Sequence, residues 1–377
     1  MTTTESLAQH EVLSPVSELD RLIFTEHGRE AAVQDDEMLR LELVRESVAH
    51  HLAQCSAYAR FAEQVGFDFD SLADPEALDY VPQIPTSAFK RSAILSVPAE
   101  QTAKRCTSSG TQGTISVVYR DRFTIERLLG STRRGLELLV GDWYEDEIHV
   151  VNLGPDQAEA GDLWFAYVMS LIGVDYPTHH AVRAGTFDPH EALTSLSQAT
   201  VFPVLAGAPA VVMAVAEAAL DRGGLSIPHL AIVTAGGWKR AGAQRIARGE
   251  FNELLLRAFD LENTCRVRDA FNQVELNTVM LECEHHRKHV PPWLHITARS
   301  LRTLEPLPYG EQGLLSYLDP SASSYPCFIL ADDVGTVRRG PCDCGWAGRT
   351  LEIERRLDRA ESWGCALKMD RAWGGSR

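Results

Sequence analysis

An α/β core joined to a smaller β-rich part is the fold class this chain predicts. Short apolar runs alternate with helical patterns through its middle. There IHVVNLGP (148–155), VFPVLAGAPAVV (201–212) and HLAIVTAGGWK (229–239) each read as a buried strand entering a turn. Before them, apolar residues spaced three and four apart fill residues 15–65 and predict a helical layer. From Trp293 onward the pattern changes to short strands and turns, WLHITARSL, GLLSYLDP and YPCFILADDVG.

At 377 residues and 45% hydrophobic content, the chain can bury a substantial core. It contains no run of eighteen apolar residues, so no membrane span is expected. The opening MTTTESLAQHEVLSP has neither a basic start nor an apolar stretch, which predicts a cytoplasmic protein without a secretory signal. Lys and Arg number 36 against 52 Asp and Glu, a net charge of -16 that argues against general nucleic-acid binding. Eight cysteines in a chain of this length suit a metal or catalytic role better than a disulfide scaffold.

The elements divide in order. Residues 1–95 read as the N-terminal helical layer, closing on the proline-rich stretch YVPQIPTSAF (80–89), an extended connector. Residues 96–290 read as the α/β core, 291–358 as the β-rich subdomain with a hinge, and 359–377 as a short tail. The core opens on CTSSGTQGTIS (106–116), with two glycines, three threonines and three serines in eleven residues. Glycines let a backbone approach a ligand and aim consecutive N–H groups at an anion, and hydroxyls add donors without bulk. The loop lacks the Gly-Lys-Ser/Thr ending of a Walker loop. Ordinary surface loops have similar composition, so the loop alone does not settle its role.

TSSGTQG resembles the phosphate loop of the adenylate-forming superfamily of acyl-CoA synthetases and luciferase-like ligases, and later landmarks follow in that superfamily's order. AGGWK (235–239) resembles its adenine-contacting turn, through Gly236 and Gly237. DAFNQVELN (269–277) resembles its YGxTE segment, with Phe271 on the adenine face and Glu275 the magnesium-linked carboxylate. LADDVG (330–335) resembles the ribose-gripping segment, where the following glycine selects Asp333. RRLDR (355–359) resembles the hinge, with Arg356 implied as the catalytic arginine and Asp358 as the hinge acid. The resemblance implies that Thr107, Ser108, Ser109, Gly110, Thr111 and Gly113 cradle the phosphates of ATP with Mg2+. It further implies the superfamily's N-terminal-domain fold with a smaller β-rich subdomain. Fewer than twenty residues follow Arg359, so the usual large C-terminal domain is expected to be lacking.

HVPPW (289–293), SYPCFILADDVG and ESWGCALKMD are most similar to the LuxE-type acyl-protein synthetases, over about residues 81–370. That family implies a carboxylic-acid substrate, transfer of the activated acyl group to Cys365 near the C-terminus, and a reductase or other acyl-acceptor protein as partner. A thiolate is a strong nucleophile and a thioester keeps the acyl group reactive, though no histidine flanks Cys365 to activate it. The acid pocket is expected near AGAPAVV (206–212), with Trp238 as a wall. His179 and His180 in DYPTHHAVR read as surface-loop residues, with a place facing the substrate as the alternative.

CDCG (342–345) and the upstream ECEHHRKHV (282–290) together offer ligands for tetrahedral zinc: Cys283, His289, Cys342 and Cys344, with His285 competing for the second place. Some phenylacetate-CoA ligase relatives have a similar arrangement. Four protein ligands would make such a site structural. Three function classes follow: an acyl-protein synthetase, a small-molecule acid–amine, acid–thiol or CoA ligase, and a noncatalytic nucleotide-binding scaffold. The presence of Glu275, Asp333 and Arg356 favours an active enzyme.

Overall fold

Apolar residues at helical spacing give α1 (Glu18–Phe24), α2 (Glu37–Gln54) and α3 (Ser56–Gln64). The structure is a computed structural model and describes residues 17–24, 36–110, 114–139, 147–238 and 246–357. Asp36 caps α2 by accepting from the Leu39 N–H at 3.0 Å. These helices share one core with residues far along the chain, Val44, Val48, Tyr58 and Phe61 lying with Tyr317, Tyr325 and Phe328.

Next come β1 (Ile84–Pro85), the hairpin β2 (Thr102–Thr107) and β3 (Val117–Asp121), and α4 (Arg122–Leu139). The alternating region begins with β4 (Ile148–Asn152), α5 (Trp164–Ser170), α6 (Ile172–Asp175) and β5 (Thr178–His180). A small hairpin, β6 (Val182–Arg183) and β7 (Thr186–Phe187), leads into α7 (Pro189–Ser197). Then follow β8 (Phe202–Gly207), α8 (Pro209–Leu220), β9 (Ala231–Ala235), α9 (Arg248–Phe259), β10 (Val267–Phe271) and β11 (Met280–Leu281). Pro209 starts α8, where a missing N–H costs nothing. The last described part holds β12 (Lys288–His289), β13 (His295–Arg299), β14 (Gln312–Leu318), β15 (Phe328–Arg339) and β16 (Arg349–Arg356).

Two sheets of six strands organise the chain. The first runs β11-β10-β9-β8-β4-β5 and is parallel except where β11 returns antiparallel to β10. Its central strands are apolar on both faces because helices cover both. Val151, Leu205 and Ile232 pack toward α7, α8 and α9. The alternate residues Val150, Val204, Ala206 and Ala231 pack on the opposite side with Met169, Phe165 and Ile172. That second face carries small side chains, and the pocket described below opens there. No described helix is long and apolar enough to cross a membrane.

The second sheet runs β12-β16-β15-β14-β13, antiparallel throughout, with β1 added in parallel to β15. The expected connector at 80–89 is therefore extended only at Ile84–Pro85, which pair with Ile329 and Leu330. It continues as a tight 3-10 turn, Thr86–Lys90. The prolines do not prevent this pairing because it is two residues long.

Strands β15 and β16 approach too closely for a side chain at Gly335, where an added Cβ would lie 2.2 Å from the Glu352 carbonyl oxygen. Gly335→Ala is expected to destabilise the fold by about 1–3 kcal/mol, since backbone must give way. Denaturant unfolding of the two proteins checks this, and an unchanged midpoint would contradict the register.

Candidate active site

Three separated stretches meet at one cavity of about 450 Å³. One end is polar, lined by Ser108, Ser109, Gly110, Glu275 and Arg356. From there an apolar arm follows the small-residue face of the parallel sheet, between Val150, Val204 and Ala235 and the residues Val168, Met169 and Ile172. Ala206, Ala208, Ala210, Val211 and Trp238 also line it, so the AGAPAVV stretch and Trp238 both lie at the pocket.

The hydroxyl-rich loop is closed by its own side chains. Ser108 N–H donates to the Ser116 carbonyl at 3.0 Å, and Ser116 N–H donates to Ser108 Oγ at 2.9 Å. Thr107 bonds the Asp162 carbonyl through its N–H at 2.7 Å and its hydroxyl at 3.2 Å. The Thr107 hydroxyl is thus committed to the main chain, whereas the Ser108 O–H donates to no other group among the described residues. Gly110 takes φ +64, which favours glycine. Thr111 and Gly113 lie outside the described residues, as do Asp358 and Cys365.

Gly236 and Gly237 follow β9 with φ of +78 and +62. A Cβ on Gly236 would sit 2.7 Å from the Phe165 ring, so glycine is required by both conformation and space. Phe271 ends β10 and stacks on buried Tyr317 with ring centroids 6.4 Å apart. Glu275 is 4% exposed. Burial pushes its carboxyl above the ordinary 4.5, against a hydrogen bond from Ser116 and the attraction of Arg356. Its carbonyl accepts from the Tyr325 hydroxyl at 3.2 Å.

Arg356 ends the described part of β16 with two aspartates beside it. Asp333 is its register partner across β15 and β16, and Asp332 Oδ2 lies 3.6 Å from its guanidinium. Burial opposes the Arg356 charge, and Asp333, Asp332 and Glu275 more than offset that effect, raising its pKa.

Two residues at this site escaped the sequence reading. Arg120 on β3 is wholly buried beneath the loop. It donates to the carbonyls of Val274 at 2.7 Å and Leu276 at 3.3 Å, to Asn277 Oδ1 at 3.2 Å and to the Tyr325 hydroxyl at 3.1 Å. Its guanidinium lies 3.6 Å from the Trp164 ring centre. Strand alternation in VVYRD, which places Arg120 on the same face as buried Val118, was the available signal. Lys90 also lines the pocket; its only signal was adjacency to buried Phe89.

Away from the pocket, Cys283, His289, Cys342 and Cys344 place their ligating atoms within 4.8 Å of one another. Cys283 Sγ is 3.8 Å from Cys342 Sγ, and Cys344 Sγ is 3.3 Å from His289 Nε2. Burial lowers His289 to about 4 and raises the Cys344 thiol to about 12. His286 adopts φ +56 in the intervening turn, and His285 stands outside this group with its side chain exposed.

An ionised Glu275 is a cost to the empty fold. Because its folded pKa is raised, that cost is present at pH 7 and fades as pH falls through the raised value toward 4.5. Glu275→Gln is therefore expected to stabilise the ligand-free protein at pH 7, with a smaller gain at pH 5. Denaturant titrations at both pH values check the sign, and a loss of stability at pH 7 would contradict the burial argument.

A sequence profile of the family described as acyl-protein synthetase, LuxE, matches residues 3–374. The long-chain-fatty-acid--luciferin-component ligase of Vibrio harveyi is 38% identical over 373 residues, covering 98% of this chain and 97% of that protein. The ligase of the same name from Aliivibrio fischeri is 38% identical over 361 residues, covering 94% and 93%. Among solved structures, 2-hydroxyisobutyryl-CoA ligase in complex with 2-HIB-AMP and CoA superposes with a TM-score of 0.69 at 15% identity. The match covers 93% of this chain and 74% of that one, and it is a likeness of fold. The chain belongs to the acyl-protein synthetase, LuxE family, and is an AMP-forming ligase that activates a carboxylic acid with ATP.

Proposed function

We propose that the acid is a long-chain one, that its tail occupies the apolar arm, and that the activated acyl group passes to Cys365. One observation carries this reading: a single cavity runs from the hydroxyl-rich loop and Glu275 into an arm lined by Val150, Met169, Ile172 and Val204. An acid seated with its tail in that arm presents its carboxylate to the polar end. Burial of the tail supplies about 0.8 kcal/mol per methylene, so affinity rises with chain length until the arm is filled. The names of the relatives from Vibrio harveyi and Aliivibrio fischeri, both long-chain-fatty-acid--luciferin-component ligases, agree with this.

In the first step a carboxylate oxygen bonds to the α-phosphorus of ATP as the bond to pyrophosphate breaks, the electron pair leaving with pyrophosphate. Ser108, Ser109 and Gly110, continued by Thr111 and Gly113, hold the phosphates. Gly236, Gly237 and Phe271 receive the adenine, Asp333 the ribose hydroxyls, and Arg356 serves as a catalytic arginine beside them. A carboxylate facing the phosphates suits magnesium, and Glu275 would hold it; when bound, the ion offsets phosphate charge. In the second step the Cys365 thiolate attacks the acyl carbon and AMP leaves. The resulting thioester suits a reductase partner.

The Cys/His group fits zinc chemically: a histidine kept neutral by burial and three thiols whose protons a metal would displace. Cys283, His289, Cys342 and Cys344 would hold it as a structural centre. The turn between β15 and β16 would thereby be tied to the segment after Glu275.

Incubation with ATP, magnesium and a series of straight-chain acids is expected to add a hydroxylamine-labile acyl mass on Cys365, increasing with chain length. Peptide mapping by mass spectrometry locates it; AMP release with no adduct would move the acceptor off this chain. Metal analysis of the purified protein is expected to find stoichiometric zinc that Cys342→Ser abolishes, with a lower unfolding temperature. A zinc-free protein of unchanged stability would remove the metal from this reading.

A further inference from the structure

Lys90 places an ammonium-bearing side chain at the pocket shared by Ser108, Ser109, Glu275 and Arg356. Among the described residues none forms a hydrogen bond or ion pair with it. Its position is nevertheless well fixed. Ile84 and Pro85 are paired into the second sheet, and Thr86 Oγ1 donates to Asp332 Oδ2 at 3.2 Å. Asp332 in turn faces Arg356. Phe89, the preceding residue, is buried against Tyr325 with ring centroids 6.1 Å apart, and Tyr325 bonds the Glu275 carbonyl. The turn that carries Lys90 is thus tied to both charged groups at the polar end.

A positioned cation without a counter-charge, in a chain of net charge -16, is complemented by an anion from outside the protein. Of the reactants, the phosphates of ATP carry the greater charge, and the loop that faces them lines the same end of the cavity. We propose that Lys90 is a phosphate-engaging lysine whose Nζ donates to phosphate oxygens of bound ATP. It keeps that contact as the carboxylate–phosphorus bond forms and pyrophosphate departs with its electron pair. This rests on the adenylation reading of the pocket.

The test compares equilibrium binding of ATP and of adenosine to the full chain, to Lys90→Gln and to Lys90→Arg, alongside ATP–pyrophosphate exchange with a long-chain acid. Lys90→Gln is expected to weaken ATP about 10- to 100-fold, the range for a hydrogen bond to a charged group, and to leave adenosine affinity unchanged. Lys90→Arg should recover part of the loss. Unfolding temperatures without ligand should coincide, because Lys90 has no hydrogen-bond or ion-pair partner to lose among the described residues. Unchanged ATP affinity with a raised KM for the acid would assign the ammonium to the carboxylate and overturn the proposal. Equal weakening of ATP and adenosine would overturn it as well, by showing a distorted pocket. A wild-type protein that binds ATP but exchanges no pyrophosphate would count against adenylation, while the ATP–adenosine comparison would still decide Lys90.

Discussion

The buried guanidinium of Arg120 joins the walls of the pocket. It extends from the hairpin that carries the hydroxyl-rich loop and bonds the main chain on either side of Glu275. It also reaches Tyr325, between β14 and β15 of the second sheet, and lies on the face of Trp164 from α5. Removing a charge from water is costly unless its donors are met, and here carbonyls, an amide oxygen, a hydroxyl and an aromatic face meet most of them. The hydroxyl-rich loop, the Glu275 segment and the second sheet consequently cannot shift independently. Placement of Glu275 is a property of this junction more than of its own short segment, which has no regular secondary structure.

The two ends of the pocket arise from different physics, and that decides what the sequence could reveal. The apolar arm is a product of strand alternation: Val150, Val204, Ala206 and Val233 share a face because successive side chains oppose one another. Such periodicity is written locally, so β4, β8 and β9 were legible as strands. The AGG turn was legible too, since positive φ at Gly236 and Gly237 is a local demand. Arg120 was hidden because a lone arginine in a strand says nothing of partners more than 150 positions away. The pairing of Ile84–Pro85 with β15 was hidden for the same reason.

The cysteine and histidine cluster shows the intermediate case. Residue types and spacing nominated four ligands but left His285 and His289 in competition. Tertiary structure brings His289 rather than His285 to the cysteines: β12 pairs His289 with Thr350 beside the CDCG turn, and His286 in the left-handed region turns the chain between them. Asp332 and Asp333 pose a similar problem. They are adjacent on one strand and so point to opposite faces, yet both influence Arg356, one across the strand pair and one by a side-chain contact. Alignment to a glycine nominates one of them; the geometry engages both.

Charge bookkeeping at the polar end explains how an acidic protein can receive ATP. Arg356 has its charge matched by Asp333, Asp332 and Glu275, and Arg120 is enclosed by main-chain acceptors. Arg356 is thus no unmatched cation for an incoming triphosphate, and the Arg120 guanidinium is wholly buried with its bonded donors turned to the protein. What remains among the described residues is local: main-chain N–H groups and the Ser108 hydroxyl of the loop, and the ammonium of Lys90. A site assembled this way is nearly neutral when empty. Net charge therefore says little about its ligand, because attraction over a few ångströms is set by the groups facing the pocket and the distant acidic surface is screened by salt.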